Sequence, residues 1–161
     1  MSHIRHQSGR FPVSTPAFGS MVAETLEQRT VLAAPFPFNP NHTLVELQTT
    51  LGNIRIELFD DVTPLTVANF LFLVNNNRYD GSFFHRHATD FVIQGGGYTF
   101  DSEDGLGDVQ DNGTVNNEFN RSNLARTLAM AKVGGNPDSA TSEFFFNLAD
   151  NSSNLDNQNG G

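Results

Sequence analysis

The sequence of 161 residues predicts a mainly β domain in which short strands form a barrel and helices cover its openings. Two observations favour this fold class. Apolar and polar residues alternate over several short segments, and turn-forming residues separate those segments. A single early segment is instead almost continuously apolar and begins with the signals of a helix. The regular pattern starts at Thr43, and the residues before it differ in character.

Residues 1–41 hold five of the seven prolines and show no steady apolar period. This composition predicts a disordered leader with a proline-rich linker, followed by one domain over 42–161. The stretch 26–34 resembles a short N-terminal motif of exported or envelope proteins of planctomycete-like bacteria. We therefore expect an exported or cell-envelope location, with the cytoplasm as the alternative.

The first two predicted strands form a hairpin, and a helix follows them. Apolar and polar residues alternate over 43–49 and 54–58, and Gly52 permits the turn between the two runs. Pro64 suits the first position of a helix, which the apolar pattern extends to Asn75. Because this helix is apolar on most sides, it must lie against a sheet or in the mouth of a barrel.

The remainder of the chain alternates between short strands and loops. The acidic, glycine-rich stretch 101–113 predicts a surface loop, and 132–142 predicts a long loop between two strands. Further strands are predicted over residues 82–87, 91–94, 128–131 and 143–148.

Composition excludes several kinds of function. The formal net charge of −9 argues against nucleic-acid binding, which requires a basic face. The absence of cysteine excludes disulfides and thiolate chemistry. No apolar run approaches the roughly 18 residues of a membrane span. His85 and His87 lack a third ligand at suitable spacing, so we expect no metal site.

Several segments share their order and spacing with one known family, the cyclophilins, and most closely with its bacterial form. The resemblance runs from about Thr43 to the last residue. The segments that carry it are Thr49 to Ile54, Phe83-Phe84-His85-Arg86, Phe91-Val92-Ile93-Gln94-Gly95-Gly96, Leu128-Ala129-Met130-Ala131 and Ser139 to Phe145.

The resemblance implies a closed antiparallel barrel capped by helices, with a groove beside it that binds Xaa-Pro peptides. It implies a monomeric peptidyl-prolyl cis-trans isomerase without a cofactor, acting on proline-containing peptides and unfolded proteins in protein folding. The family continues past the position of Gly161 with further strands and a second helix. By this resemblance those elements are missing here, and we expect marginal stability from the unpaired edge.

The resemblance also implies roles for individual residues. Arg86 corresponds to the catalytic arginine, and Gln94 to the polar groove residue that orients it. Phe84, Phe144 and Phe146 are expected in the core. The residues expected to bind substrate are Phe91, Val92, Ala131, Lys132, Glu143, Phe145 and Leu155.

Rotation about an Xaa-Pro bond breaks no bond between heavy atoms, so it needs no nucleophile, metal or general base. The barrier is roughly 18–20 kcal/mol, and the uncatalysed process takes tens to hundreds of seconds. In the twisted amide the nitrogen gains a lone pair, which a fixed guanidinium can stabilise. This requirement matches the role implied for Arg86.

Four differences separate this chain from the family pattern. Lys132 stands where asparagine or arginine is usual, and we expect a small effect because the family's contact there uses the backbone. Thr89-Asp90 replaces a Pro-Gly turn, which Asp can tolerate. Glu143 stands in place of glutamine and is expected either to pair with Arg86 or to face solvent. Asn154 stands in place of an aromatic groove residue, so we expect weakened affinity for cyclosporin-type inhibitors. These changes keep two alternatives open: a catalytically weak module that binds proline-containing peptides, and a non-functional fragment.

Overall fold

The computed structural model describes residues 21–25 and 38–160, with the side chains of 22–25 left aside. This part of the chain folds into short strands and two helices. The strands are β1 (Met21–Thr25), β2 (Thr43–Thr49), β3 (Gly52–Leu58), β4 (Arg86–Ala88), β5 (Val92–Gly95), β6 (Tyr98–Asp101), β7 (Gly105–Asp108), β8 (Leu128–Met130) and β9 (Phe144–Asn147), and the helices are α1 (Pro64–Asn75) and α2 (Ser152–Leu155).

All the strand pairs of the described residues are antiparallel. One sheet has the order β1-β2-β3, a second has the order β4-β5-β9-β8, and β6 pairs with β7. Isolated bridges from Ser82 to Met21 and Thr99 connect the first sheet to the β6–β7 hairpin. The predicted mainly β fold with an early helix is confirmed.

The core lies where α1 meets the sheets. Val45 and Leu47 of β2 are fully buried, as the alternating pattern predicts. Phe144 of β9 is also fully buried and packs edge-on against Phe70 of α1 and Tyr79. The predicted core position of Phe144 is thus confirmed, and the other two predicted core phenylalanines, Phe84 and Phe146, pack against the same cluster.

Strand β1 lies inside the segment for which the sequence predicts disorder. Met21 is fully buried, and its backbone N–H donates to the carbonyl of Ser82 at 2.7 Å. The partners of β1 lie twenty or more residues away, so no local pattern indicates the strand. Residues 1–20 and 26–37, with the export-like motif, lie outside the described residues.

The prediction of a loop over 101–113 is wrong in its first part. Residues 98–108 form a hairpin, in which Phe100 pairs with Leu106 and Asp101 with Gly105. The carboxylate of Asp101 accepts a hydrogen bond from the N–H of Glu103 at 2.7 Å, and Gly105 has a φ of 83°. These two features close the turn, because an aspartate can cap it locally and glycine adopts a positive φ without strain.

Strands β3 and β8 are each the last strand of their sheet. A cavity of about 260 Å³ lies between them, beneath α1. Apolar side chains of both strands and of the helix line it, among them Ile56, Phe70 and Met130.

Candidate functional site

A row of opposed residues crosses the second sheet and forms one side of a groove, here called the near wall. Arg86 of β4 pairs with Gln94 of β5, Gln94 pairs with Phe145 of β9, and Phe145 pairs with Ala129 of β8. Because directly opposed residues project from the same face of a sheet, this register brings the four side chains together. Val92 lies two residues before Gln94 and therefore faces the same side.

The turn between β4 and β5 fixes one end of the near wall. Asp90 takes a φ of 55°, and the N–H of Phe91 donates to the carbonyl of Ala88 at 3.1 Å. The carbonyl of Phe91 accepts from the side-chain amide of Asn151 at 2.9 Å. The turn expected at Thr89-Asp90 is confirmed, with aspartate in the left-handed conformation.

The opposite side is here called the far wall. It is formed by Asn123, Ala131, Lys132, Leu155, Gln158 and Asn159. The ammonium of Lys132 donates to the side-chain oxygen of Asn117 at 3.0 Å and to the carbonyl of Asn159 at 3.2 Å. Partial burial lowers the pKa of Lys132, and Asp138 opposes this effect. The lysine therefore holds the far wall together.

A cavity of about 180 Å³ lies between the two walls. Of the predicted site residues, it is lined by Arg86, Phe91, Val92, Gln94, Ala131, Lys132, Phe145 and Leu155. Lining residues that the sequence analysis did not identify are Asn123, Ala129, Met130, Gln158 and Asn159. Ala129 could have been found from the register opposite Phe145, whereas no sequence signal indicates Asn123.

Glu143 is not among the residues that line this cavity. Arg86 Nη1 donates to Gln94 Oε1 at 3.1 Å, and Gln94 Nε2 donates to Glu143 Oε2 at 2.5 Å. His85 Nε2 lies 3.9 Å from the same carboxylate oxygen. From the sequence, Glu143 was expected to pair with Arg86 or to face solvent, whereas its carboxylate contacts the far end of the Gln94 amide.

Buried asparagines, also not identified from the sequence, connect the two walls. The side-chain amide of Asn147, 1% exposed, donates to Thr127 Oγ1 at 2.9 Å and to Asn123 Oδ1 at 3.2 Å. Its oxygen accepts from Asn151 Nδ2 at 2.8 Å, and the same Asn151 amide reaches the carbonyl of Phe91. Asn151 thus connects Phe91, at the end of the near wall, to Asn147, which holds Asn123 of the far wall.

The carboxylate of Asp156 holds Asn123 from the other side. Asp156 Oδ1 accepts from both the backbone N–H and the side-chain amide of Asn123, each at 2.9 Å. The hydrogen bond from the backbone N–H is the main reason that the pKa of Asp156 lies below its usual range. Asn154 is exposed and accepts from Gln158 Nε2 at 2.6 Å, outside the lining of the cavity.

The described part of the chain lacks two further features, a cluster of metal-binding side chains and a membrane-spanning helix. The residues at 21–25 and 38–160 contain no group of three or more side chains suited to hold a metal ion. Among the same residues, no helix has the length and apolarity that crossing a bilayer requires.

Comparisons with protein families and with individual relatives give consistent matches. The family model described as "Cyclophilin type peptidyl-prolyl cis-trans isomerase/CLD" matches residues 44–160. A peptidyl-prolyl cis-trans isomerase of Acinetobacter baylyi is 45% identical over 112 residues, which cover 68% of this chain and 57% of the relative. Peptidyl-prolyl cis-trans isomerase B of Escherichia coli is 40% identical over 110 residues, covering 67% and 64%. The chain thus spans less than two thirds of the length of these relatives.

Solved structures that carry the same family name also superpose on this chain. A cyclophilin-type peptidyl-prolyl cis-trans isomerase of Cryptosporidium parvum superposes with a TM-score of 0.56 at 26% identity, covering 70% of each chain. A second crystal structure of that protein, in the presence of the dipeptide Ala-Pro, superposes with a TM-score of 0.55 at 25% identity, covering 67% of this chain and 69% of that one.

Proposed function

Because this chain belongs to the cyclophilin-type peptidyl-prolyl cis-trans isomerase family, we propose that its groove binds proline-containing peptides and accelerates rotation about their Xaa-Pro bonds. The observation that carries the proposal is the convergence of Arg86, Gln94, Phe91 and Phe145 on one small cavity. We extend it to unfolded proteins as clients and to a monomer as the acting species.

Arg86 is the proposed catalytic residue. Its guanidinium is exposed, and one of its donors is engaged by Gln94 Oε1, which fixes the direction of the group. The other N–H donors remain for the peptide, since arginine carries five in a rigid plane. A donor held at the twisted proline nitrogen stabilises the transition state more than the planar ground state, because only the twisted nitrogen has a free lone pair.

The apolar part of the cavity is the proposed pocket for the proline ring. Phe91, Val92 and Phe145 supply a dry surface on the side of the near wall. The cavity of about 180 Å³ is smaller than the roughly 300–1,000 Å³ of sites for drug-sized ligands. Its size therefore suits one side chain of a peptide. The exposed Asn154 offers no aromatic surface, and for this reason we propose reduced affinity for cyclosporin-type inhibitors.

The test is Arg86→Ala, assayed by protease-coupled cleavage or NMR exchange on a short Xaa-Pro peptide. We expect kcat/KM to fall about 100- to 1,000-fold, as when one transition-state donor is removed elsewhere. The matched control is Arg55→Ala. It removes a half-exposed arginine of β3 that pairs with Glu46 of β2. The control should retain activity.

Two results would contradict the proposal in different ways. Full turnover in Arg86→Ala would show that the guanidinium is not the catalytic group. Peptide binding to the unaltered chain, seen as shifts of groove resonances without faster exchange, would instead establish a binding module that does not catalyse rotation.

A further inference from the structure

The carboxylate of Glu143 occupies a fixed position behind the near wall. The backbone carbonyl of Glu143 accepts from the N–H of Ala131 at 2.8 Å, which ties the residue to the end of β8. Its side chain lies over Gly97, where an added Cβ would come within 2.5 Å of Glu143 Oε1. A side chain at position 97 would therefore displace the Glu143 carboxylate. The side chain of Glu143 is only 34% exposed.

The chemistry of the three groups allows one arrangement of the Gln94 amide. A carboxylate only accepts hydrogen bonds and a guanidinium only donates them, whereas an amide has one end of each kind. With Glu143 on one side and Arg86 on the other, Gln94 must turn Nε2 to the carboxylate and Oε1 to the guanidinium, as observed. A glutamine at position 143 could itself reverse, so it would not impose this orientation.

We propose that Glu143 is a positioning residue for the isomerase reaction, which orients the Gln94 amide and through it the guanidinium of Arg86. This inference rests on the proposed function for its kinetic part. Glu143 touches neither the cavity nor Arg86 within the described residues, so it acts through Gln94. The contact is charge-assisted and short, which makes it stronger than a contact between two neutral amides.

Two variants weaken the contact between Glu143 and Gln94 to different extents. Glu143→Gln keeps the size and removes the charge, and Glu143→Met removes the acceptor altogether. We expect kcat to fall about threefold in the first and about tenfold in the second, with KM within about twofold, because the lost interaction acts on the transition state. Glu103→Gln, an exposed position in the turn between β6 and β7, is the matched control and should change neither constant.

The orientation itself is measured by NMR, without reference to activity. The side-chain NH₂ of Gln94 and the guanidinium NH of Arg86 should shift in both variants, and exchange of the Gln94 NH₂ protons should quicken about tenfold. In a Gln94→Ala background, Glu143→Gln should leave kcat unchanged, since the connecting group is gone. Glu143→Gln is isosteric and keeps the test valid even if Glu143→Met fails to fold.

The outcomes separate this inference from the proposed function. If the unaltered chain does not turn over peptide, the proposed function fails, while the Gln94 and Arg86 resonances still decide the positioning role. Unchanged resonances in Glu143→Gln overturn the inference. An increase in kcat also overturns it, because that result would identify Glu143 as a charge that weakens Arg86.

Discussion

The two walls of the groove are held by different forces. The near wall is a register row across four antiparallel strands, so the backbone ladder positions Arg86, Gln94 and Phe145. The far wall follows loops and the four-residue helix α2, and its position depends on the side chains of Asn123, Asn147 and Asp156. A ladder survives the loss of one side chain, whereas an amide network does not. Single substitutions in the network should therefore damage the far wall first.

The largest effect on stability is expected from Asn147→Ala. The change removes both amide donors of a buried side chain and leaves Asn123 Oδ1 and Thr127 Oγ1 without this partner. It also deprives Asn151 Nδ2 of its acceptor on Asn147. Buried polar groups left unsatisfied cost about 1–3 kcal/mol each, so we expect the free energy of unfolding to fall by about 2–4 kcal/mol.

Urea unfolding followed by circular dichroism measures this loss. Asn112→Ala, at an exposed loop position, is the control and should stay within about 0.5 kcal/mol of the unaltered chain. In the weakened variant, resonances of Leu155 and Asn159 should shift more than those of Arg86 and Gln94. Equal shifts on both sides would contradict the distinction between the walls.

The same distinction explains what the sequence could predict. The order of the family segments identified Arg86, Gln94 and Phe145 of the near wall, and strand alternation placed Val92 on the same side as Gln94. Ala129 was missed, because its place in the row follows from the register of β8 with β9. Lys132 was expected to bind substrate, but its contacts with Asn117 and Asn159 were not predicted. Those contacts join residues separated by 15 and 27 positions, which no periodicity within one chain reveals.

Two features that the sequence did not predict have the same physical origin. The strand Met21–Thr25 depends on partners in β2, and the asparagine network joins positions 123, 147 and 151 through side-chain amides. Asparagine is common in exposed turns, so its type alone did not mark these buried positions. The orientation of Glu143 toward Gln94 also depends on the close approach at Gly97, which appears only in the folded chain.

The pH dependence of unfolding in Asp156→Asn tests how the far wall is held. The pKa of Asp156 is lowered in the fold, so its contribution is complete above the ordinary value of 3.8 and is lost as pH falls through the lower folded value. The unfolding midpoints of Asp156→Asn and the unaltered chain should therefore differ most at neutral pH. The difference should shrink below about pH 4. A difference that stays constant through the acid range would contradict a role for the ionised carboxylate.

The smallest effect is expected from His42→Gln, outside both walls. His42 Nδ1 lies 2.7 Å from Glu57 Oε1, and Nε2 lies 3.0 Å from Asp61 Oδ1. The hydrogen bond to Glu57, with a smaller contribution from Asp61, raises the pKa of His42 against the opposing effect of burial. Its stabilisation is therefore complete below the ordinary value of 6.5 and declines as pH rises through the higher folded value.

The pH dependence of stability expected for His42 is opposite in sign to that expected for Asp156. The two variants together therefore test whether each titration affects only its own part of the fold. Urea midpoints of His42→Gln and the unaltered chain should differ most near about pH 6 and converge toward about pH 9. Groove resonances at Arg86 and Leu155 should stay in place throughout, because the His42 cluster joins the start of β2 to the end of β3. If the groove resonances moved with the titration of His42, the first sheet and the groove would be coupled, and the near wall could not be treated as fixed by its own ladder.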